Sequence, residues 1–253
     1  MIFDTHAHYD DKQFDEDREV LLSQMEQSDI GTIVDAASTL ESWDKIVKLT
    51  EDYPFVYGSI GVHPDEVGNL DEESFARMEK LLDLEKIVAV GEIGLDYYWD
   101  TESHDVQKKW FVRQLELARK KNMPVMIHSR EAAADTMEIM KEYAQGMKAV
   151  IHCYSYSPEM AAEYVKMGYY IGVGGVVTFK NSKKLKQVVE SIPLEHIVLE
   201  TDCPYLAPAP NRGKRNSSLY LPYVVEAVAQ LKGIDADTVI SQTEKNARTL
   251  YGL

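Results

Sequence analysis

The chain has 253 residues, 45% of them hydrophobic, and its 27 basic and 42 acidic residues give a formal net charge of -15 at pH 7. This composition is typical of a globular protein and excludes a disordered polyelectrolyte. The acidic balance also argues against a broad basic face for gripping nucleic acid, although bound cations could supply positive charge locally at a site for a polyanion.

The sequence predicts neither a membrane anchor nor a second domain. No stretch approaches the ~20 apolar residues that a bilayer span needs, and the first residues do not resemble a signal peptide. Two cysteines cannot form a disulfide framework. We find no internal repeat and no Gly/Ser linker. We therefore expect a cytoplasmic protein with a single domain over residues 1–253, no membrane association and no obligate protein partner.

Short apolar, β-rich runs alternate with amphipathic stretches along the chain. The runs predict eight strands, at residues 1–6, 32–37, 56–62, 87–93, 124–127, 149–151, 170–173 and 197–199. Apolar residues at three- and four-residue spacing predict helices between strands, for example at residues 17–27, 107–121 and 132–143.

Eight strand-helix units in a chain of about 250 residues are typical of a TIM (β/α)8 barrel, whose catalytic groups project from the C-terminal ends of the strands. The alternative is an open doubly wound sheet. It lacks its fingerprint, because no glycine-rich G-x-G-x-x-G turn follows the first strand and no Walker A sequence occurs. The sequence therefore favours the barrel.

Side chains that can bind metal ions lie at the ends of several predicted strands. His6 and His8 are two residues apart, which places both imidazoles on one face of the first strand. The remaining candidates end four other strands and are Glu92, His128, His152 and Asp202. Because the strand ends of a barrel meet at one rim, we expect all of these side chains around one pocket.

Four imidazoles and two carboxylates are more ligands than one zinc ion with an open position requires. They suit two adjacent divalent ions that share a bridging carboxylate. Sites of histidine and carboxylate ligands accept Zn²⁺, Mn²⁺ or Mg²⁺ according to availability, so the identity of the metal stays open.

Several ordered motifs resemble those of the TatD family of metal-dependent deoxyribonucleases. They are DTHAH at residues 4–8, GVHP at 61–64, GEIGLDY at 91–97, IHSR at 127–130 and ETDCPYL at 200–206, and the match continues to residues 246–252. The resemblance implies a TIM barrel of the metal-dependent hydrolase superfamily. It implies hydrolysis of phosphodiester bonds of DNA or another nucleic acid, with 3′ to 5′ exonuclease activity on unpaired ends.

The resemblance also implies a ligand set for each of two metal ions. One ion would be held by His6, His8, Glu92 and Asp202, and the second by Glu92, His128 and His152. Glu92 would then bridge the two ions. We expect Asp202 to act as a general base as well, by orienting the attacking water and receiving its proton.

Other polar residues near the expected rim are candidates for contact with the substrate. His63 precedes Pro64, which favours an extended conformation and could direct the imidazole over the rim toward a phosphate oxygen or the leaving group. The alternative is a hydrogen-bonded turn histidine. Phosphate-binding candidates are Arg130, Arg212, Lys214 and Arg215. A guanidinium group binds phosphate in a bidentate way, although solvated surface charge is the alternative.

Aromatic residues also follow two of the strands, at Tyr97, Tyr98, Trp99 and Tyr205. Their rings could stack on unpaired bases, or they could pack in the core. One departure from the family is that Ser217 and Ser218 stand where many members have Glu-Pro. This change leaves the metal ligands untouched, but it puts the shape of the loop after the last strand, and hence the substrate preference, in doubt.

Two alternative functions stay open at this point. The first is hydrolysis of amide, lactone or phosphotriester substrates on the same barrel. The second is a non-enzymatic, metal-bound scaffold that binds nucleic acid. The complete set of candidate ligands argues against the scaffold.

Overall fold

The structure, a computed structural model, describes residues 1–99 and 102–253. Its strands are β1 Ile2–Ala7, β2 Ile30–Ala36, β3 Val56–Ile60, β4 Ile87–Asp96, β5 Val125–Arg130, β6 Ala149–Ile151, β7 Tyr170–Val173 and β8 Ile197–Leu199. Its α-helices are α1 Arg18–Leu22, α2 Ser42–Asp52, α3 Glu72–Leu81, α4 His104–Lys121, α5 Ala133–Tyr143, α6 Pro158–Lys166, α7 Lys183–Ser191, α8 Leu221–Lys232 and α9 Ala236–Tyr251.

The strands follow one another in the sheet in the order β1-β2-β3-β4-β5-β6-β7-β8. The last strand lies next to the first, because the hydroxyl of Thr5 in β1 donates to the carbonyl of Leu199 in β8 at 2.9 Å. Just beyond β8, Cys203 forms a parallel bridge with Ala7. A parallel sheet that closes in this way, with a helix after each strand, is a TIM barrel. The fold class predicted from the sequence is confirmed.

Two compact units make up the chain. The first comprises Met1–Asp35, Cys153–Thr249 and Leu253, and the second comprises Ala36–His152 and Leu250–Gly252. Parallel strand pairs β1 with β2 and β7 with β8 belong to the first unit, and the strands from β3 to β6 belong to the second. Within the described residues, no helix has the length and apolar character needed to cross a bilayer. The single domain and the cytoplasmic location stay predictions.

Several predicted boundaries differ from the structure; for example, β5 continues beyond its predicted end at residue 127 to Arg130. Strand β4 continues beyond residue 93 to Asp96, so that Glu92 lies inside the strand and not at its end. The helix predicted at residues 17–27 is too long, because α1 ends at Leu22. The hydroxyl of Ser23 donates to the carbonyl of Val20 at 2.7 Å. Such side-chain bonds compete with the helical backbone pattern, and a separate 3-10 turn follows at Glu26–Ser28.

Two fully buried glutamines of α4 hold the chain ends from which functional side chains project. Gln114 accepts from the amide of Val62 at 2.9 Å and donates to its carbonyl at 3.3 Å, next to His63. Gln107 accepts from the amide of Asp96 and donates to its carbonyl, both at 2.9 Å. Leaving such buried backbone groups without partners would cost about 1–3 kcal/mol each. Helix α4 therefore fixes the C-terminal ends of β3 and β4.

Candidate metal centre

The first ligand group lies in the first unit and consists of His6, His8 and Asp202. The Nε2 atoms of the two histidines are 3.0 Å apart. Oδ1 of Asp202 lies 3.7 Å from Nε2 of His6 and 3.4 Å from Nε2 of His8. Two imidazole nitrogens and a carboxylate oxygen that converge in this way form a donor set suited to a divalent cation. The structure thus brings these three predicted ligands together.

A β-bulge in β1 places His6 in this group. Asp4 pairs with Ile33 and Ala7 pairs with Asp35, so β1 has one more residue than β2 between the two pairs. A bulge of this kind re-aims a side chain relative to the regular pleat. The strict alternation assumed from the sequence therefore does not hold along β1, although His6 and His8 still meet.

The buried carboxylate of Asp4 holds the chain around Asp202. It accepts hydrogen bonds from the amide of Thr201 at 3.0 Å, from the hydroxyl of Thr201 at 2.7 Å and from the hydroxyl of Ser218 at 2.6 Å. Burial raises the pKa of Asp4 to about 6, although the bonds from Ser218 and Thr201 lower it. Asp202 itself has φ 55, and its amide donates to the carbonyl of His6 at 2.9 Å. Ser218, in the segment between β8 and α8, is thus linked to β1 through Asp4.

The second ligand group lies in the second unit and is centred on Glu92. Its Oε1 is 2.8 Å from Nδ1 of His128 and 2.7 Å from Nε2 of His152. These two histidine nitrogens are 3.3 Å apart. The ligand atoms of His63, Glu92 and His128 all lie within 4.8 Å of one another. A buried carboxylate among imidazoles is again a donor set that fits a divalent ion.

A second β-bulge lies at Glu92. Val90 pairs with Val125 and Ile93 with Ile127, so β4 has one extra residue between these pairs. After the bulge, Gly94 has φ 149, and a Cβ at this position would lie 1.9 Å from the carbonyl oxygen of His128. Glycine is therefore required for β4 to approach β5 this closely.

Asp96 is a candidate functional residue that the sequence analysis did not predict. Its Oδ2 is 2.9 Å from Nε2 of His128, and its side chain is almost fully buried. Burial lowers the pKa of His128, but the hydrogen bonds to Asp96 and Glu92 outweigh burial and raise it to about 9. A carboxylate that binds the outer nitrogen of a histidine ligand fixes the orientation of the ring. The signal was the two-residue alternation, which places Asp96 on the same strand face as Glu92.

His63 lies at the edge of the second ligand group. Its Nε2 is 3.9 Å from Oε1 of Glu92, and its ring packs edge to face against His128 with the centroids 4.3 Å apart. Burial and the charge on His128 lower the pKa of His63 to about 3, despite the opposing effect of Glu92. The neutral ring accepts from the amide of Asp65 at Nδ1, at 3.2 Å, so its proton is on Nε2.

The predicted phosphate-binding residues differ in how strongly other contacts hold them. Both terminal nitrogens of Arg215 bind the carboxylate of Asp17, at 2.8 and 2.5 Å. The guanidinium of Arg212 lies over the ring of Phe179, 4.4 Å from its centroid. Lys214 is exposed on the same loop. Contact between these residues and a phosphate stays a prediction.

The aromatic candidates also divide into two kinds. Tyr97 is held by its own contacts, since its hydroxyl donates to Asp135 at 2.7 Å and its ring stacks on His104 with a centroid distance of 3.5 Å. Tyr98 and Trp99, which follow it directly, are exposed. The guanidinium of Arg130 lies against these two exposed rings.

Comparison with known proteins gives one consistent family. The family described as TatD related DNase matches residues 3–252. An uncharacterized metal-dependent hydrolase of Bacillus subtilis, YabD, is 41% identical over 252 residues, which is 99% of each chain. The Escherichia coli hydrolase YcfH is 32% identical over 99% of this chain and 96% of its own.

A solved structure agrees with these relatives. The crystal structure of YjjV, a TatD homolog from Escherichia coli K12, superimposes with a TM-score of 0.93 and 30% sequence identity, covering 100% of this chain and 98% of that one. The resemblance inferred from the motifs is therefore confirmed. From its fold, its relatives and its two groups of metal-capable side chains, the chain belongs to the TatD family of metal-dependent hydrolases.

Proposed function

We propose that this hydrolase is a deoxyribonuclease that removes nucleotides from the 3′ end of unpaired strands. The observation that carries the proposal is the convergence of imidazoles on Glu92, at 2.7 and 2.8 Å, in a chain whose family is described as TatD related DNase. Active sites of TIM barrels lie toward the C-terminal ends of the strands. In this group His152 directly follows the last residue of β6, and Glu92 and His128 lie in the C-terminal halves of β4 and β5.

In this proposal the two ligand groups act as one dinuclear centre. His6, His8, Asp202 and Glu92 would hold one divalent ion, and Glu92, His128 and His152 would hold the second. Imidazole and carboxylate ligands together suit several divalent ions, so Zn²⁺, Mn²⁺ and Mg²⁺ are all candidates. When bound, a metal pair lowers the pKa of water toward neutrality and offsets the negative charge of the phosphodiester.

The residues of the chain then have distinct roles. Asp202 is the general base, because its carboxylate is less buried than that of Glu92, with 18% of the side chain exposed against 4%. It orients the attacking water and receives its proton. His63 stays neutral and presents the N–H of Nε2 to a phosphate oxygen or to the leaving group. Asp96 keeps the ring of His128 in position.

Substrate binding must overcome the charge of the whole protein. A net charge of -15 repels a polyanion at long range, so positive charge has to be concentrated at the site. We assign this role to the metal ions and to Arg130, Arg212, Lys214 and Arg215.

The test is cleavage of 5′-end-labelled single-stranded DNA by metal-free protein to which each divalent ion is added in turn. We expect a ladder of products that shortens from the 3′ end with time, and slower cleavage of a blunt duplex. Glu92→Gln is the matched control for a contaminating nuclease. Turnover of a small amide, lactone or phosphotriester without cleavage of DNA or RNA would overturn the proposal in favour of the alternative hydrolase. Binding of DNA without any turnover would favour the scaffold.

A further inference from the structure

Tyr98, Trp99 and Arg130 form an exposed cluster, which we call the aromatic platform. The guanidinium carbon of Arg130 is 3.9 Å from the centroid of the Tyr98 ring and 5.5 Å from that of Trp99. The two rings meet edge to face with their centroids 5.0 Å apart. Three flat groups are thus gathered at one place on the surface of the second unit.

The two rings of the platform are exposed, unlike the other two tryptophans of the chain. Tyr98 and Trp99 are 55% and 60% exposed, whereas Trp43 is 0% and Trp110 is 6% exposed. The preceding ring, Tyr97, is held by a hydrogen bond and a ring stack. Rings that remain in water next to one that is fully engaged are typical of a binding surface, because burying them would otherwise stabilise the fold.

The platform is tied to the second ligand group through one carboxylate. Oδ1 of Asp96 accepts hydrogen bonds from the amides of Tyr98 and Trp99, at 2.9 and 3.2 Å, while Oδ2 lies 2.9 Å from Nε2 of His128. Arg130 follows His128 by two residues on β5. The backbone that carries the rings and a proposed metal ligand are therefore fixed by the same side chain.

We propose that the aromatic platform stacks an unpaired nucleobase of the strand whose phosphodiester reaches the second ligand group, an assignment that rests on the proposed function. Every base has a π-face that stacks on aromatic rings and on guanidinium planes, independently of sequence. A base inside a duplex does not present this face, so the platform selects unpaired strands. The charge of Arg130 adds attraction to the backbone in a chain whose net charge is negative.

A binding experiment tests the platform without turnover. Because Trp43 and Trp110 are buried, tryptophan fluorescence that is quenched by an added strand reports on Trp99. In the presence of a chelator, we expect a short single-stranded oligodeoxynucleotide to quench the fluorescence in a saturable way. An abasic strand of the same length, which keeps the phosphates and lacks the rings, should not quench it. An oligoribonucleotide and a mononucleotide, titrated in parallel, identify the source of the base.

Variants divide the binding among the platform residues. Because Trp99→Ala removes the reporting fluorophore, binding by the variants is measured by the fluorescence anisotropy of a labelled strand. Trp99→Ala, Tyr98→Ala and Arg130→Ala should each weaken binding about tenfold, the order measured for loss of one stacked base. The matched control is Tyr223→Ala, which removes another exposed tyrosine, on α8, and should leave binding unchanged. A thermal melt of each variant checks that the fold is intact.

The outcomes separate the platform from the proposed function. Cleavage of DNA by the wild type, together with unchanged KM in all three platform variants, would overturn the platform alone. Quenching by the natural strand but not by the abasic one, in a protein that cleaves no nucleic acid with any metal, would keep the platform and overturn the nuclease. Equal quenching by both strands would show that the rings do not stack on bases. Binding of a partner protein in place of the oligonucleotide would likewise overturn the inference.

Discussion

Glu92 and Asp202, the carboxylates of the two ligand groups, are held in different surroundings. Glu92 lies at a bulge inside the ten-residue strand β4, with 4% of its side chain exposed and histidine nitrogens at 2.7 and 2.8 Å. Asp202 lies beyond the end of β8 at φ 55, with 18% of its side chain exposed and histidine nitrogens at 3.4 and 3.7 Å. The first carboxylate is enclosed, and the second is more open.

This difference suits two tasks that the proposed dinuclear centre would need. A carboxylate enclosed by imidazoles is suited to hold cationic charge in fixed geometry, because its surroundings replace water. A carboxylate with exposed surface is suited to accept a proton from water and to release it. Within the proposed function we therefore assign charge retention to Glu92 and proton transfer to Asp202, and the changes below test this assignment.

Removal of metal should have the largest effect. Exhaustive chelation is expected to abolish hydrolysis, and reloading should restore activity at about two divalent ions per chain. We expect the ion held by Glu92, His128 and His152 to be the last removed and the first replaced. Elemental analysis and a calorimetric titration of the metal-free protein measure both quantities. Saturation at a single ion under all conditions would contradict the dinuclear centre.

Substitution of each carboxylate by its amide separates the two tasks. Glu92→Gln keeps the shape but loses the charge, so bound metal should fall below about two ions per chain and activity should drop by more than about a hundredfold, beyond the range of outer partners of ligands. Asp202→Asn tolerates the positive φ, and should reduce kcat and alter its pH profile more than it reduces metal content. Near-native turnover of Glu92→Gln at saturating metal would refute the bridging role.

The alternation of apolar and amphipathic segments, the chain length and the polar residues at strand ends predicted the barrel. The predicted limits of β6, β7 and β8 agree with the structure, because short buried strands of parallel sheets are nearly continuous apolar runs. The end of β4 was harder to predict. Asp96 is polar and follows Leu95, so the apolar pattern does not show that the strand reaches it. It belongs to the strand in the structure, where Gln107 of α4 bonds both its amide and its carbonyl.

The candidate ligands could be chosen by residue type and position, whereas their supporting contacts could not. The bulges that place His6 and Glu92 depend on register between strands, which one strand's sequence does not encode. The pairing of Arg215 with Asp17 joins residues 198 positions apart. From the sequence alone, an arginine that pairs with a carboxylate cannot be distinguished from one that binds a phosphate.

Replacement of Asp96 should have an intermediate effect. Asp96→Asn removes the negative charge behind His128 and weakens the anchor of the Tyr98 amide, so we expect a 10- to 100-fold loss of metal affinity or activity, the usual range for such partners. Asp135→Asn is the matched control, because Asp135 binds Tyr97 and Lys108 and contacts neither ligand group. If the two variants behave alike, Asp96 has only a structural role.

The smallest expected effects concern the loop that carries Arg212 and Arg215. If both contact phosphates of the strand being digested, their neutralisation should raise KM for oligonucleotides severalfold and flatten the salt dependence of kcat/KM by about 0.7 in log-log slope for each lost contact. Cleavage of a small chromogenic phosphodiester, which has no flanking phosphates, should lose less than cleavage of an oligonucleotide.

The ion pair with Asp17 distinguishes the two arginines. Arg212 lies over Phe179 and should give the full effect on KM when replaced by Ala. Arg215 binds Asp17 with both terminal nitrogens, so Asp17→Asn should lower KM if the guanidinium then becomes available to phosphate. An unchanged KM in Asp17→Asn, with lower thermal stability in both Asp17→Asn and Arg215→Ala, would show that this arginine braces the loop. A surface ion pair contributes little to stability. A higher KM for oligonucleotides in Arg215→Ala, without a change in melting temperature, is therefore the result that assigns Arg215 to the substrate.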